Sequence, residues 1–496
     1  MNKLPRKVIN KIADALLLAT AMLCYGSYVE AASMPSGADP VRVRTVRCDL
    51  TEAFKAVECK QATLPENYDA PSGREIRLDV KVFKARQPGR IPKAVFFLQG
   101  GPGQRATLGA DFYQHLWDSL RDTSDLVFVD QRGTGTTPDL HCSVEKDPVV
   151  LGRDLWPAAS LTECGKKLSK VADLTRYTTS DAARDLNNVR KEMGYGKIDL
   201  IGYSYGTRLA QEYLRHYDHT VHAALLIGPE SPLEAVPAGL AAEADVSIAK
   251  LLERCKSDTK CGRIFPDIEQ DAKKLKSQWR SESAITQEER SNLAAALPSP
   301  GVAASFMRMM MYSMESAVEV PGMIHTLAAG DPTKAVNQSI MEWRREFAQA
   351  APWGLYLSVT CAEDVPFVDV QNERIAAKDT FVGSYRIDQQ VAACQDWPAR
   401  LIPPEFHTVV ATEVPVLLMV GEFDPATPSG KSAGIIGKMA NGRLLVIPNR
   451  SHGMSESIET DWKHCLEPLA VQFLQSSLPL KELDATCVNH LSVPEF

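Results

Sequence analysis

The sequence predicts an α/β fold, a mostly parallel central sheet interrupted by an inserted helical cap. Three observations predict it. Apolar runs of strand length recur at Ala94 to Leu98, Leu126 to Val129 and Ile198 to Ile201, as in strands buried on both faces of a parallel sheet. A helix-patterned stretch separates the last two, so strand and helix alternate. From about Ser231 to about Pro352 the texture turns to helices with few strand signals, and strand runs resume at Val416 to Val420 and Leu444 to Ile447.

The chain opens on a separate object. Lys3, Arg6, Lys7 and Lys11 precede the apolar stretch Ala15 to Leu23, and Val29-Glu30-Ala31 stands where a signal peptidase reads. Residues 1–31 therefore read as a secretory signal. A membrane anchor would need roughly 20 apolar residues, and a lipidated Cys24 would want a small neighbour where Leu23 stands. No stable membrane insertion is expected. Residues 40–230 read as the first part of the sheet domain, 231–352 as the cap and 353–496 as the return to the sheet.

Within the first part, "REIRLDVKVFKA" at 74–85 alternates apolar and polar like a half-exposed strand. "TTSDAARDLNNVRKEMGYG" reads as a crossover helix capped by Ser180 and ended by Gly194 or Gly196. Ala223 to Ile227 is a further strand. In the cap, "EADVSIAKLLERCKSDTKCGRIF" and "SFMRMMMYSMESAVEV" are helical, and the methionines of 307–314 read as helical core rather than a cofactor box.

Hydrophobic residues make up 44% and charged residues 24% of the 496 positions, the composition of an ordinary soluble globular chain. A net charge of -7 offers no basic face, so no nucleic acid partner is expected. Of the 11 cysteines, Cys24 leaves with the signal, and the even remainder in an exported chain argues for disulfides. Ten cysteines allow about 945 pairings. Pairing neighbours gives five short local loops: Cys48 with Cys59, Cys142 with Cys164, Cys255 with Cys261, Cys361 with Cys394, and Cys465 with Cys487. No C-x-x-C pair supports zinc.

In "LIGYSYG" the apolar run turns into a helical pattern at Ser204, between Gly202 and Gly206. A strand that reverses into a helix within one residue tolerates only small neighbours and lifts the serine clear of the sheet. Such a nucleophile needs a base and an acid to orient it. Asp424 follows one buried strand in "VPVLLMVGEFDPATP", and His452 follows the next in "RLLVIPNRSHG". Serine, acid, histidine is the α/β-hydrolase order, so Ser204, Asp424 and His452 are the expected triad. "FFLQGGPGQ" enters a glycine turn after a strand, and the N–H groups of Gly101 and Tyr205 are the expected oxyanion donors.

Taken together, Gly-Gly-Pro-Gly at 100–103, "DQRGTG" at 130–135 and "GYSYG" at 202–206 resemble the proline iminopeptidase and tripeptidyl aminopeptidase family of α/β-hydrolases. "VGEFDPATP" and "SHG" resemble the C-terminal segment of its exported, tripeptidyl aminopeptidase-like branch. The family often has a histidine where this chain has Gln99. The resemblance implies that Asp130 and Arg132 brace the active-site loops, and that acidic residues near the cap hold the substrate's N-terminal amine. Glu363 and Asp364 in "TCAEDVPF" and Glu230 and Glu234 in "GPESPLE" are the candidates, with Glu363 preferred because Cys361 would pin its backbone. The activity these residues and the resemblance imply is that of an exported serine aminopeptidase acting on small peptides, releasing proline or a short N-terminal peptide without metal or organic cofactor. An esterase or amidase, or a non-catalytic binding protein of the same fold, is the alternative.

Overall fold

A computed structural model describes residues 41–48, 57–90, 93–135, 138–142, 147–283, 298–330, 334–349, 352–454, 459–475 and 479–496. The expected signal at residues 1–31 lies outside them. The strands are β1 (Arg42–Val46), β2 (Val57–Pro65), β3 (Glu75–Phe83), β4 (Lys93–Leu98), β5 (Ser124–Val129), β6 (Ile198–Tyr203), β7 (Val221–Ile227), β8 (Val416–Gly421) and β9 (Gly442–Ile447). Among the described residues they form one sheet, in the order β1-β2-β3-β5-β4-β6-β7-β8-β9. The pairs from β1 through β3 to β5 are antiparallel, and every pair from β5 through β4 to β9 is parallel.

The period of two explains why the apolar runs make strands. Phe96, Leu98, Leu200, Leu226 and Leu418 face one apolar layer with Leu186, Val189, Leu209 and Tyr213. Their chain neighbours Phe97, Ile201, Leu225 and Leu417 face a second with Trp117, Trp462 and Leu469. Each such side chain contributes about 1.5–3 kcal/mol by leaving water, so a polar residue in these runs would cost the layer it faces. The sequence reading missed β1 and β2. β1 is the sheet edge, and it carries Arg42 and Arg44 with no buried position, so it has no apolar alternation to detect.

The crossover helix runs Thr179–Glu192 and its N-cap is Thr178, not Ser180. Thr178 Oγ1 accepts the Asp181 N–H at 3.2 Å, while the Ser180 hydroxyl donates to Glu212 at 2.6 Å. Gly194, at φ +76°, lets the chain turn away after the helix. In the helical region, 243–265 divides into Leu240–Ser257 and Thr259–Ile264, because Asp258 caps the second helix through the N–H groups of Lys260 and Cys261. Met307, Met311 and Met314 are buried in its core with Ile248, Leu251 and Ile324. Helices continue beyond Pro352, through Trp353–Glu363, Val370–Ala377 and Tyr385–Cys394, before β8 begins. Trp353–Glu363 is buried at every position, so it has no polar stripe to announce it as a helix.

The five disulfides join the sequence neighbours: Cys48–Cys59, Cys142–Cys164, Cys255–Cys261, Cys361–Cys394 and Cys465–Cys487. Among the described residues no helix is long and apolar enough to cross a membrane.

Candidate active site

β6 ends at Tyr203 and a helix starts at Tyr205, leaving Ser204 as a one-residue hinge with φ 52° and ψ −124°. A non-glycine residue there is strained and must be held. Its N–H donates to the Ile227 carbonyl of β7 at 2.9 Å. Room for the reversal comes from missing side chains. A Cβ on Gly206 would lie 2.1 Å from the Leu98 oxygen, and one on Gly202 would lie 2.7 Å from the Gly206 oxygen. Gly206→Ala must therefore push the helix off β4; an unfolding free energy lowered by about 1–3 kcal/mol is expected in denaturant titration, the usual cost of overpacking, and an unchanged value would show the contact to be soft.

Asp424 and His452 meet as expected from their order after β8 and β9. Asp424 Oδ2 accepts from His452 Nδ1 at 2.8 Å and from Thr427 Oγ1 at 2.7 Å, and Oδ1 accepts the N–H groups of Ala426 at 2.7 Å and Thr427 at 2.8 Å. Burial alone would raise this carboxyl, but the His452 charge and these donors together hold it below the ordinary carboxylate range. The imidazole is fixed from two further sides. The Tyr312 ring meets it edge-on with centroids 4.7 Å apart, and the Tyr312 carbonyl accepts the Gly453 N–H at 2.7 Å. Gly228, at φ +59°, leaves space on another side, since a Cβ there would lie 3.0 Å from His452 Cε1. Gly228 directly follows Ile227, whose carbonyl holds the Ser204 N–H, so one short segment touches both.

Ser204, Gly101 and Tyr205 line one pocket. The glycine turn closes on the serine: a Cβ on Gly100 would lie 3.2 Å from Ser204 Cβ. The Tyr205 N–H is the first of its helix and has no acceptor within it. Its phenol points away, to Thr179 Oγ1 at 2.8 Å and Gln131 at 2.9 Å. Gln99 does not reach this pocket; it is buried near Gln104 and Asp130 with its side-chain nitrogen unpartnered. Asp130 ties Thr107 and Arg105 to the sheet, and Arg132 grips Asp185 through two 2.7 Å bonds.

The four acids separate. Glu363, the preferred candidate, is fully buried off the pocket lining. Its two oxygens accept the Thr179 N–H at 2.6 Å and hydroxyl at 2.7 Å. Burial pushes its carboxyl up to about 8 against the pull of Arg208 and Thr179. A carboxyl held protonated when folded but ionised when unfolded makes stability fall as pH rises from its ordinary value toward 8. Glu363→Gln keeps an acceptor for the Thr179 N–H, so the melting temperature between pH 5 and 9 should lose that slope; a slope identical to the wild type would assign it elsewhere.

Asp364 borders the pocket but is taken by Arg208, at 2.8 and 3.1 Å, and by the Val236 N–H at 3.0 Å. Glu234 pairs with Lys431, which also holds Glu243. Glu230 differs from both. Its N–H is fixed by Thr207 Oγ1 at 2.8 Å, while its carboxylate lies 3.5 Å from Arg208, 15% exposed on the lining that Ser204 shares. Sequence reasoning missed Thr427, Tyr312, Gly228, Arg208 and Lys431. Of these only Thr427 had a local signal, as the third residue after an aspartate in a proline-marked turn.

Residues 93–253 match the family described as alpha/beta hydrolase fold, and residues 379–487 the family described as TAP-like protein. Serine protease Hip1 of Mycobacterium tuberculosis is 28% identical over 192 residues, 35% of this chain and 36% of that protein. Tripeptidyl aminopeptidase of Streptomyces lividans is 27% identical over 176 residues, 32% of this chain and 33% of its own length. Carboxylesterase B of M. tuberculosis is 29% identical over 160 residues, 28% of this chain and 30% of its own. The chain thus spans about a third of the length of the curated relatives it matches.

Proposed function

We propose that this chain, an α/β-hydrolase with a TAP-like C-terminal segment, is an exported serine aminopeptidase that releases an N-terminal proline or short N-terminal peptide. The observation that carries the reading is the 2.8 Å Asp424–His452 pair, set beside a pocket lined by Ser204 and an incompletely paired carboxylate, Glu230. In this reading His452 takes the Ser204 proton as the oxygen attacks the carbonyl, and Asp424 holds the imidazolium. The N–H groups of Gly101 and Tyr205 receive the oxyanion, and water then hydrolyses the acyl-enzyme. Glu230 receives the substrate ammonium. Five disulfides support the exported assignment.

The test is a panel of aminoacyl, prolyl and tripeptidyl fluorogenic substrates with free and acetylated amines. Acetylation removes a charge-assisted hydrogen bond and leaves Glu230 with only its 3.5 Å contact to Arg208, so kcat/KM should fall by the equivalent of about 2–5 kcal/mol. Glu230→Gln should erase most of that difference. The similarity to a carboxylesterase favours a second reading, an esterase or amidase, which the panel would establish if blocked and free peptides were cleaved alike and neutral esters faster than both.

A further inference from the structure

The pocket that Ser204 lines also contains two arginines for which the proposed reaction has no use, Arg308 and Arg386. Elsewhere in the fold, three buried arginines meet carboxylates: Arg132 meets Asp185, Arg208 meets Asp364 and Arg450 meets Asp461. Arg190 and Arg344 meet none and donate to neutral oxygens instead, Arg190 to the carbonyls of Tyr195 and Gly196 and Arg344 to those of Asp154 and Leu155. The pocket pair is not balanced in this way. Among the described residues neither Arg308 nor Arg386 has a carboxylate within ion-pair distance, and the Nε of each is buried without a hydrogen-bond partner. Arg386 donates to the Tyr356 hydroxyl at 2.5 Å and lies 3.8 Å over the Trp156 ring; Arg308 lies 5.2 Å over the Tyr312 ring.

Aromatic faces favour a cation without neutralising it, and a guanidinium's planar fork of donors matches a carboxylate. The pocket acids face other cations: Asp364 is paired with Arg208, Glu234 and Glu243 with Lys431, and Glu230 lies 3.5 Å from Arg208, and among the described residues none of them forms an ion pair with Arg308 or Arg386. The arrangement is also held in place. Tyr356 and Arg386 stand on the helices Trp353–Glu363 and Tyr385–Cys394, which the Cys361–Cys394 disulfide joins. Burial draws the Arg386 guanidinium below its ordinary range, with Tyr356 opposing and the Arg308 charge adding to the effect. An anion entering here would relieve both.

We infer that Arg308 and Arg386 form a carboxylate subsite, so that the pocket selects short peptides bearing a negative charge as well as a free amine. This rests on the peptidase reading above. The carboxylate can come from the peptide's own C-terminus or from an aspartate or glutamate side chain, and both present the same group to the fork.

Four peptides of one length distinguish these sources: each combination of free acid or amide at the C-terminus with glutamate or glutamine within. The charged member of the relevant pair should be cleaved at least about tenfold faster in kcat/KM, chiefly through KM, as expected for a charge-assisted hydrogen bond. The ratio should fall toward one in Arg308→Met and Arg386→Met and recover in part in Arg386→Lys. Calorimetric titration of the unaltered protein with glutarate and with glutaramide needs neither variants nor turnover: glutarate alone should bind. Equal binding of the two, or a charge preference that survives in the double variant, overturns the subsite. Loss of all peptide cleavage with glutarate binding intact would instead remove the peptidase reading and keep the subsite.

Discussion

Ser204→Ala is expected to abolish hydrolysis while leaving the fold intact. The bond that holds the hinge is made by the backbone N–H of residue 204 to the Ile227 carbonyl, and alanine keeps it. Alanine at φ 52° is no more strained than serine, so the melting curve should overlay that of the wild type. What is lost is the atom that forms the acyl-enzyme in the proposed mechanism, and turnover should fall by roughly 10^4-fold or more. Labelling by a fluorophosphonate probe should vanish with it. Near-normal turnover in this variant would end the serine mechanism, and a wild-type chain that neither labels nor turns over any substrate would be a binding protein on a hydrolase fold.

The second large effect is expected from Asp424→Asn, and the direction is set by the donors around the carboxylate. Oδ1 accepts two backbone N–H groups, from Ala426 and Thr427, so an asparagine must keep its carbonyl oxygen on that side. Its NH2 group then faces His452 Nδ1, where the carboxylate accepted a bond at 2.8 Å. Facing a donor, Nδ1 must become the acceptor, and the ring proton moves to Nε2. A ring protonated at Nε2 cannot take a proton from the serine there. The expected loss in kcat is roughly 10^4-fold, with KM little changed. Activity within tenfold of wild type would mean that Asp424 does not set the His452 tautomer.

The parallel strands were legible because a sheet covered on both faces requires apolar residues at every position, and runs such as Ala94 to Leu98 have no other economical use. The hinge at Ser204 was legible because close packing excludes side chains locally, at Gly202 and Gly206. Asp424 and His452 were legible because each follows its strand directly. The edge strand β1 was not, since solvent accepts any polar residue on it. Nor was the roll of the four acids. What separates Glu230 from Glu363 and Asp364 is which cation or hydroxyl each one meets across long sequence distances, 184 residues for Glu363 with Thr179 and 156 for Asp364 with Arg208. A local motif carries no information about that. The arginine pair was invisible for the same reason, because its significance lies in the carboxylates it does not meet.

The cysteine pairing has a consequence for how such a chain could mature. Each bridge closes within 6 to 33 residues, and from Cys48 onward every cysteine is joined to its immediate neighbour. A chain threaded through a membrane from its N-terminus presents these thiols one at a time, with each second partner arriving before the next pair begins. An oxidant that simply links every newly arrived thiol to the last one still free would write the native connectivity without proofreading. The scheme depends on where counting starts: a reactive thiol ahead of Cys48, such as Cys24, would displace every bridge by one. If residues 1–31 are a leader, as their sequence suggests, its early removal would protect the register of the whole set.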